Sequence, residues 1–269
     1  LVAFNVRVTA DHPAHTQRGG DGGAFYGCFT EAEARAGARE SDEVWWSDVA
    51  WFTGGPAGRT WIERLVASME FTGIDLGIVP DQRDLTVAAL KTAADHHDLI
   101  LTSGGVSVGE EDHIKPAVQR LGSLDLWQIA IKPGKPCAYG RVGAAHATGS
   151  VHTTHFLGLP GNPVSSLVTF MLLVRPFLLR LQGVPAAELD IATKSIAIPA
   201  HFTWAKGDKR REFLRVRRNA AGGVELFTNQ SSGVLTSTVW GDGLVDNPPG
   251  QTIAHGDVVR FIPFAELLN

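Results

Sequence analysis

The sequence contains very little cysteine and methionine. Cys28 and Cys137 are its two cysteines, too few for a disulfide framework and without the paired spacing of a zinc site. Proteins without disulfides are typical of reducing compartments, so we expect a cytoplasmic protein. Met69 is the first of two methionines and the chain opens at Leu1, so we expect it to be a piece of a longer protein.

The chain also lacks an excess of basic residues and an uninterrupted long apolar run. Its 24 Lys and Arg against 28 Asp and Glu give a formal net charge of −4. Nucleic acids and anionic membrane surfaces select strongly basic faces, so neither is an expected partner. The apolar stretch at 170–181 contains Arg175 and Pro176, so we predict no membrane span. We expect small-molecule partners instead.

From Trp61 onward the pattern alternates between helix and strand. Helical spacing of apolar residues predicts helices at 61–69, 84–95, 112–122 and 163–181. Short apolar runs predict strands at 74–79, 98–102, 124–131 and 155–159. This alternation predicts an α/β domain with three layers, in which helices cover both faces of a mostly parallel sheet.

The pattern of predicted secondary structure changes after Gly183. Short strands separated by turn residues are predicted at 191–199, 211–216, 224–228 and 257–263, which is typical of a small all-β domain. We therefore assign residues 61–183 to the α/β domain and 184–269 to a C-terminal β domain. Residues 1–60 show no clear period and stay unassigned.

A glycine-rich loop at 103–109 follows one predicted strand and precedes a predicted helix. Loop amides and helix N-termini at this edge of an α/β sheet favour anions. Gly104 and Gly105 would let the backbone approach a ligand, and Ser107 would add a hydroxyl. A tight strand-to-helix connection explains the loop equally well.

The carboxylates at 110–112 lie one turn before Lys115. They predict either a helix cap or a Mg²⁺ site, and their spacing alone favours the cap.

Two later segments also suit anions. In Lys132-Pro133-Gly134-Lys135-Pro136, the prolines restrict the backbone that presents two lysines, which we interpret as an anion site. The segment Gly-Leu-Pro-Gly-Asn-Pro-Val-Ser at 158–165 runs from a strand into a helix N-terminus and predicts a second site of this kind.

These three motifs occur in this order at close spacing. Together they make residues 61–269 resemble the molybdopterin molybdenumtransferase family (MoeA in bacteria, the E domain of gephyrin in animals). The resemblance implies a MoaB/MogA-like molybdopterin-binding α/β domain followed by a small β domain. It implies insertion of molybdate into adenylylated molybdopterin, with release of AMP and assistance by Mg²⁺. It also implies a homodimer and, as a further partner, the molybdopterin adenylyltransferase.

The resemblance assigns roles to individual positions. Asp81 and Asp112 match acidic catalytic positions and would bind the metal. The positions matching the molybdate site are Lys132, Lys135, Ser165, Arg210, and Ser231 or Ser232. The motif residues expected to bind the cofactor are Ser103, Gly104, Gly105, Ser107, Gly109, Lys115, Pro160, Gly161 and Asn162.

The chain departs from the family pattern in its first sixty residues. The family's Thr-Gly-Asp-Glu-Leu type motif is absent there, and the nearest trace, at 8–12, places His12 where an acid belongs. A non-catalytic molybdopterin-binding or scaffold fragment is therefore one alternative. The other is molybdopterin adenylyltransferase, but its glycine loop usually reads Thr-Gly-Gly-Thr-Gly and it lacks the β domain. Cys137 is expected to be a core residue and not a nucleophile.

Overall fold

The computed structural model describes residues 2–7, 72–80, 82–95, 97–106, 113–145 and 151–268. These residues divide into two compact units. Unit 1 takes the described residues up to 129 together with 134–145 and 151–162, and unit 2 takes 130–133 and 163–268. The helix predicted at 61–69 lies outside the described residues, as do Asp81, Ser107, Gly109 and Asp112.

Unit 1 is built on a six-stranded sheet with the order β2-β1-β3-β7-β6-β4. Its strands are β1 (Val2–Arg7), β2 (Thr72–Ile78), β3 (Leu99–Ser103), β4 (Gly122–Trp127), β6 (Ala138–Ala145) and β7 (Val151–Leu159), while β5 (Ile131–Lys132) belongs to unit 2. The apolar runs predicted as strands at 74–79, 98–102 and 155–159 all fall on strands. The strand predicted at 124–131 instead ends at Trp127.

The expectation of a mostly parallel sheet is wrong for the described strands, because the sheet is mixed. β3 and β7 pair in parallel, from Leu99 opposite His155 to Ser103 opposite Leu159. The other four pairs, β1–β2, β1–β3, β4–β6 and β6–β7, are antiparallel. Residues 146–150 join β6 to β7, and such a short connection suits an antiparallel pair and not the crossover that a parallel pair needs. The broader class, an α/β unit followed by a mainly β region, is confirmed.

Two helices of unit 1 pack on each other and on this sheet. They are α1 (Arg83–Ala94) and α2 (Ile114–Leu121), close to the helices predicted at 84–95 and 112–122. Their buried apolar faces consist of Leu90, Ala93 and Ala94 in α1 and of Ile114, Ala117 and Val118 in α2. These side chains share one core cluster with Ile100 of β3 and Phe156 of β7. The cluster thereby holds the two parallel strands from which the glycine motifs emerge.

Unit 2 contains a long apolar helix, α3 (Pro163–Leu181). Proline suits its first turn because the missing amide hydrogen is not needed there, and residues Phe170–Val174 adopt π-helical bonding. As predicted, the helix runs through 163–181, and it includes Arg175 and Pro176. The helix has 19 residues and is long and apolar enough to cross a membrane, with a mean hydropathy of 1.7 over an 18-residue window, but 67% of that window is buried inside the protein. This burial is the pattern of a core helix.

The sheet of unit 2 has the order β10-β9-β11-β12-β8, with β5 alongside β9. Its remaining elements are β8 (Ile196–Pro199), β9 (Arg211–Arg218), β10 (Val224–Leu226), α4 (Thr236–Trp240), β11 (Gly243–Asn247), β12 (Val258–Pro263) and α5 (Phe264–Leu268). The strand predicted at 191–199 starts late, because Ile191–Lys194 forms a 3-10 turn. A core of aliphatic and aromatic side chains, among them Leu214, Val245 and Phe261, lies within this unit.

Candidate functional site

In unit 1 the two glycine motifs meet at the carboxyl ends of β3 and β7. The Gly104 amide donates a hydrogen bond to the Leu159 carbonyl oxygen at 2.9 Å. A Cβ added to Gly161 would lie 3.7 Å from the Gly104 Cα. Gly104 and Gly105 have φ values of 84° and 69°, which glycine adopts without the strain of a side chain. The predicted cofactor-binding segments 103–105 and 160–162 therefore lie side by side.

Thr102, directly before this loop, carries an orphaned buried hydroxyl. The residue is 0% exposed, and its Oγ1 has no hydrogen-bond partner among the residues that the structure describes. Opposite it on β7 lies Gly158, where an added Cβ would come within 2.4 Å of Val106 Cγ1. A buried polar group without a partner is costly, so native structures keep few of them. Sequence patterns did not point to Thr102.

Lys115, the remaining described cofactor-binding candidate of unit 1, stacks on an aromatic ring. Its ammonium lies 5.2 Å from the centroid of the Trp127 ring, a cation–π distance. Lys115 is exposed and lies on α2. Its predicted role in cofactor binding stays a prediction.

In unit 2, β5 brings Lys132 next to β9. The two strands pair in parallel, with Ile131 opposite Arg211 and Lys132 opposite Glu212. The Lys132 ammonium lies 3.1 Å from Glu212 Oε1 and 3.4 Å from Asp208 Oδ2. It also lies 5.9 Å from the centroid of the Trp204 ring. Two segments separated by almost eighty residues in sequence thus form one charged cluster.

Glu212 is the buried centre of this cluster. The residue is 0% exposed. In addition to Lys132, its carboxylate accepts hydrogen bonds from Trp204 Nε1 at 2.8 Å and from the Asp208 amide and Asn247 Nδ2, both at 3.2 Å. A buried carboxylate is tolerated when ion pairing and hydrogen bonds compensate it. Glu212 therefore fixes where the Lys132 ammonium lies.

Arg210, a predicted molybdate ligand, is bound by Asp208. Its Nε and Nη2 donate to the two Asp208 carboxylate oxygens, each at 2.8 Å, in the bidentate geometry typical of strong arginine–carboxylate pairs. Hydrogen bonds from Arg210 hold the pKa of Asp208 well below its usual range, and the pKa of Arg210 is raised in turn by its hydrogen bond with Asp208. Both groups are therefore ionised at neutral pH.

The predicted serines of unit 2 also come together. The Val164 amide, in the first turn of α3, donates to the Ser232 carbonyl oxygen at 3.1 Å. The Ser231–Ser232 loop thus packs against the turn that contains Ser165, a residue only 4% exposed. Ser231 itself is exposed. These contacts place the three serines in one region, while their contact with an oxyanion stays a prediction.

Arg215 is a buried residue that holds the Ser231–Ser232 loop through hydrogen bonds. Its side chain is 1% exposed. Its Nη2 donates to the Ser231 carbonyl oxygen at 3.2 Å and its Nε to Ser237 Oγ at 3.1 Å. Burial lowers the pKa of Arg215 to about 10, so the side chain is still charged at neutral pH. Within the described part of the chain no carboxylate pairs with it.

Lys135 belongs to unit 1, whereas Lys132 belongs to unit 2. The Lys135 carbonyl oxygen accepts hydrogen bonds from the amides of Ile129 and Cys137, both at 3.0 Å, and these bonds shape the turn. Lys135 itself is exposed.

Cys137 is buried, and burial raises the pKa of its thiol to about 11. As expected, it is a core residue.

Two family models match this chain. The probable molybdopterin binding domain matches residues 57–180, and the MoeA C-terminal region, domain IV, matches residues 197–264. The molybdopterin molybdenumtransferase of Haemophilus influenzae is 44% identical over 211 residues, 77% of this chain and 50% of that protein. The chain belongs to the molybdopterin molybdenumtransferase family.

Other members show the same partial overlap. The molybdenum cofactor synthesis protein cinnamon of Drosophila melanogaster is 29% identical over 194 residues, 70% of this chain and 30% of that protein. The crystal structure of a molybdopterin biosynthesis MoeA protein from Pyrococcus horikoshii has a TM-score of 0.58 at 26% identity, covering 76% of this chain and 47% of that one. This chain therefore spans about half the length of these members of the family or less.

In unit 2, the sequence motifs and the family resemblance pointed to Lys132, Arg210 and the serines but not to Asp208, Glu212 or Arg215. For Glu212 a signal was available: it alternates with Leu214 and Val216, so period-two spacing puts it on the core face of β9. Nothing comparable marks Asp208. Its position follows from the fold of the loop before β9.

Proposed function

We propose that this chain acts in molybdenum cofactor biosynthesis by inserting molybdate into adenylylated molybdopterin, with release of AMP. The observation that carries this proposal is the pairing of β5 with β9, which gathers Lys132 and Arg210 around a single carboxylate oxygen, Asp208 Oδ2. Molybdate is a tetrahedral dianion, and a lysine and an arginine that converge on one oxygen atom suit such a ligand.

In this proposal, each of the two units binds a different substrate. In unit 1, the open backbone of Gly104 and Gly105 lies beside Gly161 and would hold the adenylylated cofactor through amide groups. In unit 2, Lys132 and Arg210 would bind molybdate, with hydroxyl groups of the Ser231–Ser232 loop as further donors. Arg215 would act through that loop, since it holds the Ser231 carbonyl oxygen and thereby orients the loop.

Mg²⁺ is the proposed metal, since it would neutralise phosphate oxygens of the adenylylated substrate and so ease cleavage of the phosphoanhydride. Its proposed ligands, Asp81 and Asp112, lie outside the described residues. In the part of the chain that the structure describes, no three His, Cys, Asp or Glu side chains gather into a metal site.

We further propose a homodimer that resides in the cytoplasm and receives its substrate from the molybdopterin adenylyltransferase. The scarcity of cysteine supports a reducing compartment. The family's role supports the partner, because the product of adenylylation is the substrate proposed here. A non-catalytic binding fragment is the alternative, and the absence of the family's first acidic motif supports it.

Release of AMP tests the proposal. The purified chain would be mixed with adenylylated molybdopterin, Mg²⁺ and molybdate, and AMP would be followed by chromatography. We expect molybdate-dependent AMP, and a rate lower by about tenfold or more in Lys132→Met, because a charge-assisted contact is lost. Lys194→Met is the matched control, since Lys194 is bonded to the Glu266 carbonyl oxygen outside this cluster, and it should retain the parent rate.

Binding measured in parallel separates the alternatives. Binding of adenylylated molybdopterin without AMP would make the chain a binding fragment and not an enzyme. Equal rates in Lys132→Met and Lys194→Met would remove Lys132 from the site. Lys132→Arg, which keeps the positive charge, should lie between the parent chain and Lys132→Met.

A further inference from the structure

The place proposed for an oxyanion is taken by a side chain of the protein itself. Asp208 Oδ2 accepts from Arg210 Nη2 at 2.8 Å and lies 3.4 Å from Lys132 Nζ. One carboxylate oxygen thus lies between the two cations predicted to bind molybdate. Counted formally, Lys132 and Arg210 are balanced by Asp208 and Glu212, so an approaching dianion meets a cluster with no net charge.

The two carboxylates differ in how firmly they are held. Glu212 is 0% exposed and accepts from an indole, an amide side chain and a backbone amide as well as from Lys132. The Asp208 side chain is 18% exposed. Both of its oxygens accept from the Arg210 side chain, and Oδ1 also accepts from the Arg210 backbone amide at 3.0 Å. Displacing Glu212 would leave several buried donors without partners, which is costly. Displacing the Asp208 carboxylate would leave one arginine and one lysine for the incoming anion.

The loop that carries Asp208 does not depend on its carboxylate alone. The Asp208 backbone amide donates to Glu212 Oε2 at 3.2 Å, and its carbonyl oxygen accepts from the Gly250 amide at 2.7 Å. These backbone contacts persist when the side chain rotates. The Asp208 carboxylate can therefore leave Arg210 while the loop and Glu212 stay in place.

We propose that Asp208 is an internal competitor that occupies the oxyanion position in the free protein and is displaced when molybdate binds. The inference rests on the molybdate role proposed for this cluster. Asp208 keeps Arg210 and Lys132 paired when no ligand is bound, and it weakens the affinity of the cluster for any anion that must replace it. The affinity for the oxyanion is therefore set by a residue that does not contact the ligand in the complex.

The test is the affinity of the chain for molybdate alone, measured by equilibrium dialysis. Asp208→Asn removes the charge at nearly constant size. We expect the dissociation constant to fall by about five- to tenfold, as expected when one partly exposed ion pair no longer has to be broken. Glu225→Gln is the matched control, since it removes an acid paired with Arg217 elsewhere in unit 2, and it should leave the affinity unchanged.

Two further variants keep the inference falsifiable. Asp208→Ser should also bind molybdate more tightly than the parent chain, because the loop keeps its backbone contacts. Arg210→Gln added to Asp208→Asn should abolish the gain. Affinity that is unchanged or weaker in both Asp208 variants would overturn the inference, and so would the absence of molybdate binding in all variants.

The proposed function is judged by a separate readout. Molybdate-dependent AMP release by the parent chain with unchanged affinity in Asp208→Asn would retain the enzyme and reject the competitor. Tighter binding in Asp208→Asn without AMP release in any protein would retain the competitor and reject the enzyme.

Discussion

At the scale of single residues, Glu212 is a buried acid whose partners cannot be read from its sequence neighbours. Its neighbours Arg211 and Phe213 give no sign of a partner, and charged residues are normally exposed. Two of its donors, Lys132 and Asn247, lie far from it in sequence, and a third, Trp204, comes from the loop before β9. The Lys-Pro-Gly-Lys-Pro motif therefore pointed to Lys132 and the family resemblance to Arg210, whereas the carboxylates that hold these two side chains depend on the tertiary fold.

Replacing Glu212 should cost stability as well as charge. In Glu212→Gln, one acceptor oxygen becomes a donor that faces other donors, and Lys132 loses its buried counter-ion. We expect the free energy of unfolding to fall by about 2–4 kcal/mol. Urea denaturation followed by tryptophan fluorescence measures it.

The matched comparison is Glu225→Gln. Glu225 and Arg217 form an ion pair whose side chains are 37% and 38% exposed, so its loss should cost about 1 kcal/mol or less. Similar losses in the two variants would show that Glu212 is not the buried centre of the cluster.

At the scale of elements, buried apolar runs were the reliable signal. The runs that became β2, β3 and β7 predicted strands, and the helical spacing that became α1, α2 and α3 predicted helices. β6 was missed because Ala138–Ala145 contains two glycines and an arginine instead of an apolar run, and it is stabilised by pairing with β4 and β7. The direction of the strands was mispredicted because β6, the antiparallel partner of β4 and β7, was not recognised in the sequence.

The contact between β7 and the glycine loop gives a prediction at this scale. A Cβ at position 158 would lie 2.4 Å from Val106 Cγ1 and 3.3 Å from Ala138 Cβ, and Val106 is 2% exposed. Because valine is stiff at χ1, we expect Gly158→Ala to lower the free energy of unfolding by about 1–3 kcal/mol.

A double-mutant cycle checks the cause. Val106→Ala should remove the clash, so that Gly158→Ala costs less in that background than in the parent chain. Gly233→Ala is the control, because an added Cβ there meets nothing within 4 Å. Equal costs of Gly158→Ala in both backgrounds would assign the loss to strand flexibility and not to packing against the loop.

At the scale of the whole molecule, each unit has its own hydrophobic core. Phe156 belongs to the cluster of unit 1 and Phe261 to the cluster of unit 2, and both are 0% exposed. Motifs predicted a change of architecture near residue 183, yet α3 is grouped with the C-terminal sheet in unit 2. The sequence of a helix that is buried along most of its length does not indicate which unit the helix will join.

Separate cores predict separate local stabilities. Phe156→Ala and Phe261→Ala should each lower the free energy of unfolding of their own unit by about 3–5 kcal/mol, because each leaves a large cavity. Hydrogen exchange measured by mass spectrometry should then show faster exchange in β3, β6 and β7 for Phe156→Ala, and in β9, β11 and β12 for Phe261→Ala. Leu85→Ala, at a residue 43% exposed on α1, should change neither set. If each phenylalanine substitution accelerates exchange equally in both sets of strands, the chain unfolds as one cooperative body and the two units are not independent in stability.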